Sequence, residues 1–192
     1  MSGTFELFER TGAYLRGHFR LTSGLHSPEY LQCAKVLQFP EHAETLGQRL
    51  ADEIRNLHSS QVAVVASPAV GGLIIGHEVA RALQARCIFT ERDASGKMTL
   101  RRGFKVEPGE IAVVIEDVIT TGGSTREVCG VLREAGANIV AAGSIVDRSG
   151  GKANVGVPRV ALETMNVTAY DEVECPMCRD GVPVEKPGSR KA

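Results

Sequence analysis

The sequence predicts an α/β protein with a central, mostly parallel sheet flanked by helices. The first reason is that residues 111–115 form an apolar run without a charge, as in parallel strands that are buried on both faces. The second is that a strand, a small-residue turn and a helix follow one another twice, at residues 62–83 and 111–135. Because 43% of the 192 residues are hydrophobic, we expect a single domain over residues 1–192.

The N-terminal part of the chain, residues 1–40, is expected to contain a helix followed by short strands. Residues 17–32 mix polar and aromatic side chains with Gly24 and Pro28, which favours strands and turns. His26 lies in this segment and is interpreted as a surface residue of a turn rather than as a substrate contact. The preceding helix is predicted from an amphipathic pattern of apolar residues, Phe5, Leu7, Phe8, Tyr14 and Leu15.

Apolar spacing and turn residues predict the remaining elements. In chain order they first indicate a helix at 41–57, a strand at 62–66, a helix with Ile74, Ile75, Val79, Ala82 and Leu83, a strand at 86–90 and a polar loop at 91–104. They then indicate the strand at 111–115, a helix with Val128, Val131, Leu132 and Ala135, a strand at 139–146, and a short last strand with Val160, Leu162 and Val167. Residues 175–192 are rich in Pro, Gly, Lys and Arg, which predicts an ordered turn and a flexible tail.

The loop after the strand at 111–115 has the composition of a phosphate site. Two glycines, Gly122 and Gly123, let an anion approach the main chain, and the following helix supplies free amides and a positive dipole end. Glu116 and Asp117 would repel that anion, so we expect them to face sugar hydroxyls or a magnesium ion with its waters. Hydroxyl donors come from Thr120, Thr121, Ser124 and Thr125.

A second small-residue turn, at residues 67–72, follows the strand at 62–66. The carboxyl ends of parallel strands meet at one edge of a sheet, where α/β proteins bind ligands. From the residues alone, this turn is either a second oxygen-binding loop or a site of close packing.

Residues 116–125 resemble the phosphoribosyl pyrophosphate (PRPP) motif of type I phosphoribosyltransferases, in which two acidic residues precede a turn rich in Thr and Gly. Residues 21–30, Leu-Thr-Ser-Gly-Leu-His-Ser-Pro-Glu-Tyr, resemble the segment that the orotate-specific members of that family place over the base. Thr22 stands where many of those members carry a lysine that contacts PRPP. The resemblance implies the type I phosphoribosyltransferase fold with a small N-terminal hood, within residues 1–40, over the base site.

The same resemblance implies transfer of the phosphoribosyl group from PRPP to orotate, giving orotidine 5'-monophosphate and pyrophosphate. Thr120 and Arg148 are implied to contact orotate, and Asp117 and Lys97 to act in catalysis. Mg2+ is the implied cofactor, held through PRPP and water with no direct protein ligand, and a homodimer is expected. The implied PRPP-binding residues are Val70, Gly71, Gly72, Arg92, Lys97, Glu116, Asp117, Val118, Ile119, Thr120, Thr121, Gly122, Gly123 and Ser124.

The segment at residues 91–104 is polar, charged and short of apolar anchors, which predicts a mobile loop. Two interpretations of its cations remain open. They are solvated surface charges, or the loop covers the site and its cations stabilise the departing pyrophosphate. The spacing differs from that of family members and the histidine of their loop is absent, but we favour Lys97 as the cation nearest the pyrophosphate and Arg92 as its anchor. The other available cations are Arg101 and Arg102.

A formal net charge of -1 gives no electrostatic case for binding nucleic acid or a membrane. No apolar run approaches the roughly 20 residues of a membrane span, and the N-terminus does not resemble a signal peptide, so a cytoplasmic location is expected. The dinucleotide and P-loop motifs are absent from the sequence.

Five cysteines at scattered positions do not form a pattern typical of a disulfide framework. Cys175 and Cys178 make a single C-x-x-C pair, which provides two ligands where a structural zinc needs four. A second pair would have to come from another subunit or from distant residues. The other interpretation is a reduced, solvent-facing turn.

Two other functions remain compatible with the motif at residues 116–125. A phosphoribosyltransferase for a purine base needs that motif but has no need for Arg148 or for the segment at residues 21–31. A PRPP-sensing regulator would bind ligand or nucleic acid without turnover, and the missing lysine and histidine of the family pattern keep this hypothesis open.

Overall fold

The computed structural model describes residues 3–21 and 23–187, which belong to two compact units. The larger unit is Leu37–Met165, and the smaller unit combines the described parts of Met1–Val36 and Asn166–Ala192. The organisation of residues 1–192 as one domain stays a prediction. In chain order the elements are α1 Gly3–Arg10, β1 Tyr14–Arg20, β2 His26–Leu31, α2 Ala34–Leu37, α3 Pro40–Leu57, β3 Val64–Pro68, α4 Gly72–Leu83, β4 Arg86–Arg92, β5 Met98–Leu100, β6 Ile111–Ile119, α5 Gly123–Glu134, β7 Asn138–Asp147, β8 Arg159–Thr164, a 3-10 turn Glu172–Glu174, and α6 Pro176–Arg179.

The larger unit is built on a six-stranded sheet with the order β5-β4-β3-β6-β7-β8. All neighbouring pairs are parallel except β4 with β5, which confirms the predicted mostly parallel sheet. Side chains alternate along β6: Ala112 and Val114 join the core that contains Val128 of α5, whereas Ile115 lies against Gly143 on the other face. Burial on both faces explains why the run carries no charge.

Strand β6 is four residues longer than the apolar run, so Glu116 and Asp117 lie inside the strand and not just beyond it. The reason is the neighbouring strand β7, which continues pairing with β6 as far as Ile119 opposite Asp147. On the other side, the pairing with β3 stops at Val114. The last part of β6 is therefore hydrogen-bonded on one side and open on the other.

Residues 91–100 belong to a β-hairpin formed by β4 and β5, whereas the mobility predicted for the segment at residues 91–104 stays a prediction. Strand β5 pairs antiparallel with β4, and the Asp93 carboxylate caps the turn by accepting hydrogen bonds from the amides of Ser95 and Lys97. Met98 is buried in the core, with Leu100 and Phe104 packed against it. The expected lack of apolar anchors therefore does not hold, because these three residues anchor the hairpin.

In the smaller unit, α1 ends at Arg10, and Tyr14 and Leu15 belong to strand β1, so the longer predicted helix is wrong. Gly12 turns the chain with a φ of 62°, and Tyr14 then pairs with Leu31 of β2. The predicted short strands at residues 17–32 are confirmed. The missing lysine at Thr22 and the end of the tail, residues 188–192, lie outside the described residues.

Two sequence interpretations in the smaller unit are wrong because the side chains are buried. His26 is 2% exposed and its main chain exchanges two hydrogen bonds with Tyr170, so it lies in a strand and not in a surface turn. Cys175 is 1% exposed, which excludes the solvent-facing turn. Within the described residues, none of the helices has the length and apolar character needed to cross a membrane.

Candidate functional site

The acidic pair lies at the carboxyl end of β6, where its two side chains differ in environment. Glu116 is 8% exposed, whereas Asp117 is half-buried and accepts a hydrogen bond of 2.8 Å from the amide of Val118. Burial, reinforced by the neighbouring Asp117 charge, raises the pKa of Glu116 well above its ordinary value of 4.5. Burial also raises the pKa of Asp117, against the effect of the Val118 hydrogen bond. A ligand that donates hydrogen bonds would stabilise the ionised pair.

The turn after β3 lies directly against Asp117. A Cβ atom added at Gly71 would meet the two carboxylate oxygens of Asp117 at 2.8 and 2.9 Å, so only glycine fits without displacing them. A Cβ atom added at Gly72 would lie 3.0 Å from the carbonyl oxygen of Ile115. The peptide between Ala69 and Val70 is cis, and Val70 is 79% exposed. The structure thus brings the turn after β3 against the end of β6, the strand that leads into the second small-residue turn.

The loop between β6 and α5 encloses a small cavity of about 60 Å³, lined almost entirely by polar atoms and backbone. That volume exceeds what one water molecule needs and suits a small oxyanion. Gly122 has a φ of 73° and begins the helix, whose first-turn amides have no partner within the helix. The lining residues are Glu116, Val118, Ile119, Thr120, Thr121, Gly122, Gly123, Ser124 and Thr125.

Two side chains outside the motif fix the shape of this loop, and the sequence analysis missed both. The guanidinium of Arg126 donates to the carbonyl oxygens of Thr121, at 2.9 Å, and Asn154. The side chain of Val155 would lie 2.8 Å from a Cβ atom at Gly122. Nothing in the local sequence signals that residues 154–155 reach the loop, because the contact joins segments almost thirty residues apart.

Arg148 follows β7 at the same edge of the sheet, and its amide donates to the carbonyl oxygen of Ile119 at 2.8 Å. The preceding residue, Asp147, is fully buried and pairs with Arg159 on β8. It also accepts hydrogen bonds from the amide and hydroxyl of Ser149, at 2.7 and 2.6 Å. Although burial raises the pKa of Asp147, these bonds outweigh it and lower that pKa below 3.8. Asp147 and Arg159, the latter missed by the sequence analysis, therefore hold the turn that carries Arg148.

Arg92 and Lys97 lie along α5 and Arg102 lies against β4, so none of the three lines the cavity. Arg92 forms an ion pair of 2.8 Å with Glu127, and Arg102 forms one of 2.7 Å with Glu91. Lys97 is exposed and lines a surface groove with Gly130, Val131 and Glu134, in the second half of α5. The helix begins at the loop that lines the cavity and runs away from it, so the structure does not bring Lys97 to the cavity of its own chain.

The chain resembles known proteins over almost its whole length. Residues 40–169 match the family model described as "Phosphoribosyl transferase domain". A protein from Thermotoga petrophila named orotate phosphoribosyltransferase is 51% identical over 185 residues, covering 96% of this chain and 97% of the relative. One of the same name from Desulforamulus reducens is 52% identical over 186 residues, covering 97% and 95%.

Solved structures share the fold. The orotate phosphoribosyltransferase from Aeropyrum pernix superposes with a TM-score of 0.67 at 27% identity, covering 83% of this chain and 92% of that chain. The adenine phosphoribosyltransferase from Rhodothermus marinus superposes with a TM-score of 0.62 at 17% identity, covering 85% and 100%. At that identity, the second likeness concerns the fold alone.

Proposed function

The chain belongs to the orotate phosphoribosyltransferases, within the phosphoribosyl transferase domain family, and we propose that its sheet-edge site transfers the phosphoribosyl group of PRPP to orotate. The observation that carries the proposal is the contact of the turn at Gly71 with Asp117, next to the cavity at residues 118–125. Two anion-binding turns on either side of a carboxylate pair match a substrate with a phosphate at one end and a pyrophosphate at the other.

PRPP would lie along this edge with each of its groups against chemically suitable partners. The 5'-phosphate occupies the cavity at residues 118–125, where backbone amides, hydroxyls and the positive end of α5 stabilise its charge. Glu116 and Asp117 accept hydrogen bonds from the ribose hydroxyls. The pyrophosphate lies at the main-chain amides of Val70, Gly71 and Gly72.

In the reaction, the bond between the anomeric carbon and pyrophosphate breaks, a nitrogen of orotate forms the new bond to that carbon, and the proton of that nitrogen passes to the departing pyrophosphate. Positive charge develops on the sugar ring in the transition state, so the ionised carboxylate of Asp117 stabilises it electrostatically. The electron pair of the broken bond leaves with pyrophosphate, which the amides at residues 70–72 stabilise. No protein nucleophile is needed, because orotate itself supplies the attacking electron pair.

Mg2+ fits the donors at this edge, since carboxylates and substrate oxygens are the ligands that it prefers. Glu116 and Asp117 would accept hydrogen bonds from its coordinated waters, and PRPP would coordinate the ion directly. When bound, the ion would neutralise charge on the pyrophosphate and make it a better leaving group.

Orotate carries a carboxylate, and Arg148 is the residue we assign to it. A guanidinium binds a carboxylate through two parallel hydrogen bonds, which favours orotate over a purine base. Thr120, exposed at the start of the phosphate loop, is the second contact. The purified chain should form orotidine 5'-monophosphate from orotate, PRPP and Mg2+ and should not use hypoxanthine. A chain that binds PRPP without turning over either base would support the regulator hypothesis instead.

The substitution Arg148→Gln separates the orotate contact from PRPP binding. We expect the KM for orotate to rise about 100-fold, as for the loss of a charged bidentate contact, with the KM for PRPP little changed. Arg10→Gln, at the end of α1, is the control and should alter neither value. An equal rise in both KM values for Arg148→Gln would contradict the assignment.

We also propose a homodimer in which Lys97 acts on the partner's pyrophosphate, because Lys97 lies away from the cavity of its own chain. Co-expressing Lys97→Ala with Asp117→Asn tests this. Half of the dimers would contain one chain of each variant. In such a mixed dimer, one of the two sites has both an intact Asp117 and an intact Lys97 from the other chain, so about a quarter of the wild-type activity should return. If Lys97 acts within its own chain, no mixed dimer has an intact site and activity stays absent.

The cytoplasm is the location we propose, since none of the five cysteines, all within the described part of the chain, forms a disulfide, and disulfides are rare in that compartment. Fluorescence of a tagged chain in its own cells is the direct check, and a signal confined to the cell envelope would contradict it.

A further inference from the structure

Four side chains that bind transition metals converge in the smaller unit. His18 lies on β1 and His26 on β2, whereas Cys175 directly precedes α6 and Cys178 lies within it. One potential ligand atom from each residue lies within 4.8 Å of all the others. This group, which we call the His2Cys2 cluster, shares no residue with the sheet-edge site.

The spacing of these atoms resembles the edges of a zinc tetrahedron. Zn–N bonds of about 2.0–2.1 Å and Zn–S bonds of about 2.3 Å at tetrahedral angles give ligand separations of about 3.3–3.8 Å. Cys175 Sγ and Cys178 Sγ lie 3.6 and 3.7 Å from His18 Nε2, and Cys178 Sγ lies 3.2 Å from His26 Nδ1. The two histidine nitrogens are 2.7 Å apart and need to separate by only about 0.6 Å.

The surroundings orient His18 as a metal ligand. Nδ1 of His18 lies 2.7 Å from the carbonyl oxygen of Val182, so it donates its proton there and leaves the lone pair of Nε2 facing the cluster. Metal-binding histidines commonly make this kind of bond with their other nitrogen. His18, His26 and Cys175 are each at most 3% exposed. Two thiolates and two neutral imidazoles balance the charge of one divalent cation, which removes the cost of burying an unpaired charge.

We infer that His18, His26, Cys175 and Cys178 bind one structural Zn2+ that ties the β1–β2 hairpin to the C-terminal segment. Two thiolates and two imidazoles in a tetrahedral arrangement favour zinc over the hard cations magnesium and calcium. Four protein ligands leave no position open for a substrate, so the site is structural and not catalytic.

The small size of the unit gives this metal a physical role. A two-stranded sheet alone is marginally stable in water, and small folding units commonly depend on a metal or a disulfide. The C-terminal segment also joins the hairpin through main-chain bridges at Phe19–Glu185 and His26–Tyr170. Since Cys175 and His18 are 157 residues apart in sequence, a shared metal would close a very long loop.

The test measures metal content in the untagged full chain, purified under reducing conditions without chelators. Mass spectrometry of the elements should find about one zinc per chain, and Co2+ exchanged for it should show the strong visible absorption of a tetrahedral thiolate site. Chelation should lower the melting temperature, and re-adding Zn2+ should restore it. These readouts do not involve turnover, so they test the metal site separately from the proposed function.

Variants locate the metal within the chain. Cys178→Ser and His26→Gln should each reduce bound zinc from about one equivalent to near zero, or weaken its binding at least ~100-fold. The matched controls are Cys87→Ser and His77→Gln, which change the same residue types outside the cluster and should keep the metal. If a cluster variant does not fold, zinc content and cobalt absorption of the wild-type chain still decide the question.

Three results would overturn the inference. They are a wild-type chain that neither contains nor takes up zinc, full zinc content in the Cys178→Ser variant, and a mass lower by two hydrogens that reveals a Cys175–Cys178 disulfide under the same reducing conditions.

Discussion

The contact between Gly71 and Asp117 makes Gly71→Ala a sharp test of the sheet-edge site. The backbone at Gly71 has φ −59° and ψ −43°, values that alanine adopts freely. The new methyl group would nevertheless lie 2.8 and 2.9 Å from the carboxylate oxygens of Asp117, where ordinary contacts begin at 3.4 Å. The carboxylate must therefore move by about 0.5–1 Å, whereas the amide that we assign to pyrophosphate stays in place.

A misplacement of about 1 Å at a catalytic group costs about 100-fold in rate, so we expect turnover to fall 10- to 100-fold. This corresponds to about 1.4–2.7 kcal/mol in the activation barrier. The melting temperature should stay equal or rise slightly, because replacing glycine in a helical conformation lowers the entropy of the unfolded chain, by about 0.4–1 kcal/mol.

The assay is the rate of orotidine 5'-monophosphate formation at saturating substrates, paired with a thermal melt. Gly130→Ala is the matched control: it lies in α5, where an added Cβ meets nothing within 4 Å. Turnover of Gly71→Ala within about twofold of this control would refute the reasoning, since the shift of Asp117 would then have no catalytic consequence. Loss of cooperative unfolding in Gly71→Ala would refute it as well.

Three further substitutions test the structure around the site. In Glu116→Gln, turnover should fall but the melting temperature at pH 8 should rise by about 2–4 °C, because a folded-state pKa raised above 4.5 means that the ionised carboxylate destabilises the fold. This gain in melting temperature should vanish below pH 4.5, where the carboxyl is protonated in both states. A gain that grows on acidification would contradict the direction of the pKa shift. Arg159→Met removes the partner of the fully buried Asp147 and should lower the free energy of unfolding in urea by about 3–5 kcal/mol at pH 7. Because the pKa of Asp147 is lowered, this loss of stability should shrink as the pH falls below 3.8. A loss that does not depend on pH would argue against the ion pair. In Gly122→Ala, the new methyl group would lie 2.8 Å from Val155, and alanine would have to adopt a φ of 73°. We therefore expect the free energy of unfolding to fall by about 1–2 kcal/mol and the KM for PRPP to rise. If the free energy of unfolding and the KM for PRPP both stay unchanged, the loop adapts to the methyl group and the reasoning is wrong.

The local pattern of apolar residues was sufficient to predict those strands and helices whose burial is uniform along the element. The uncharged run at residues 111–115 predicted a strand buried on both faces, and the apolar spacing through Val128 and Leu132 predicted α5. The glycine and threonine residues after the acidic pair predicted a loop at the sheet edge, because such turns depend mainly on the residues within them.

Contacts between distant segments set the features that pattern reasoning missed. Pairing with β7 extends β6 past the apolar run, and burial of Met98 turns a polar segment into a hairpin. The cluster of His18, His26, Cys175 and Cys178 is another case, since the sequence analysis interpreted His26 as a surface residue and found the cysteine pair two ligands short.

The sequence by itself therefore determined the α/β class, the strand-turn-helix units and the chemistry of the acidic, Thr- and Gly-rich loop. Only the tertiary structure decided that Gly71 lies against Asp117, that Arg159 holds the turn of Arg148, and that two histidines meet two cysteines. The physical reason is that residue spacing reports which face of a local element is buried, whereas the partner on that face is chosen by the packing of the whole chain.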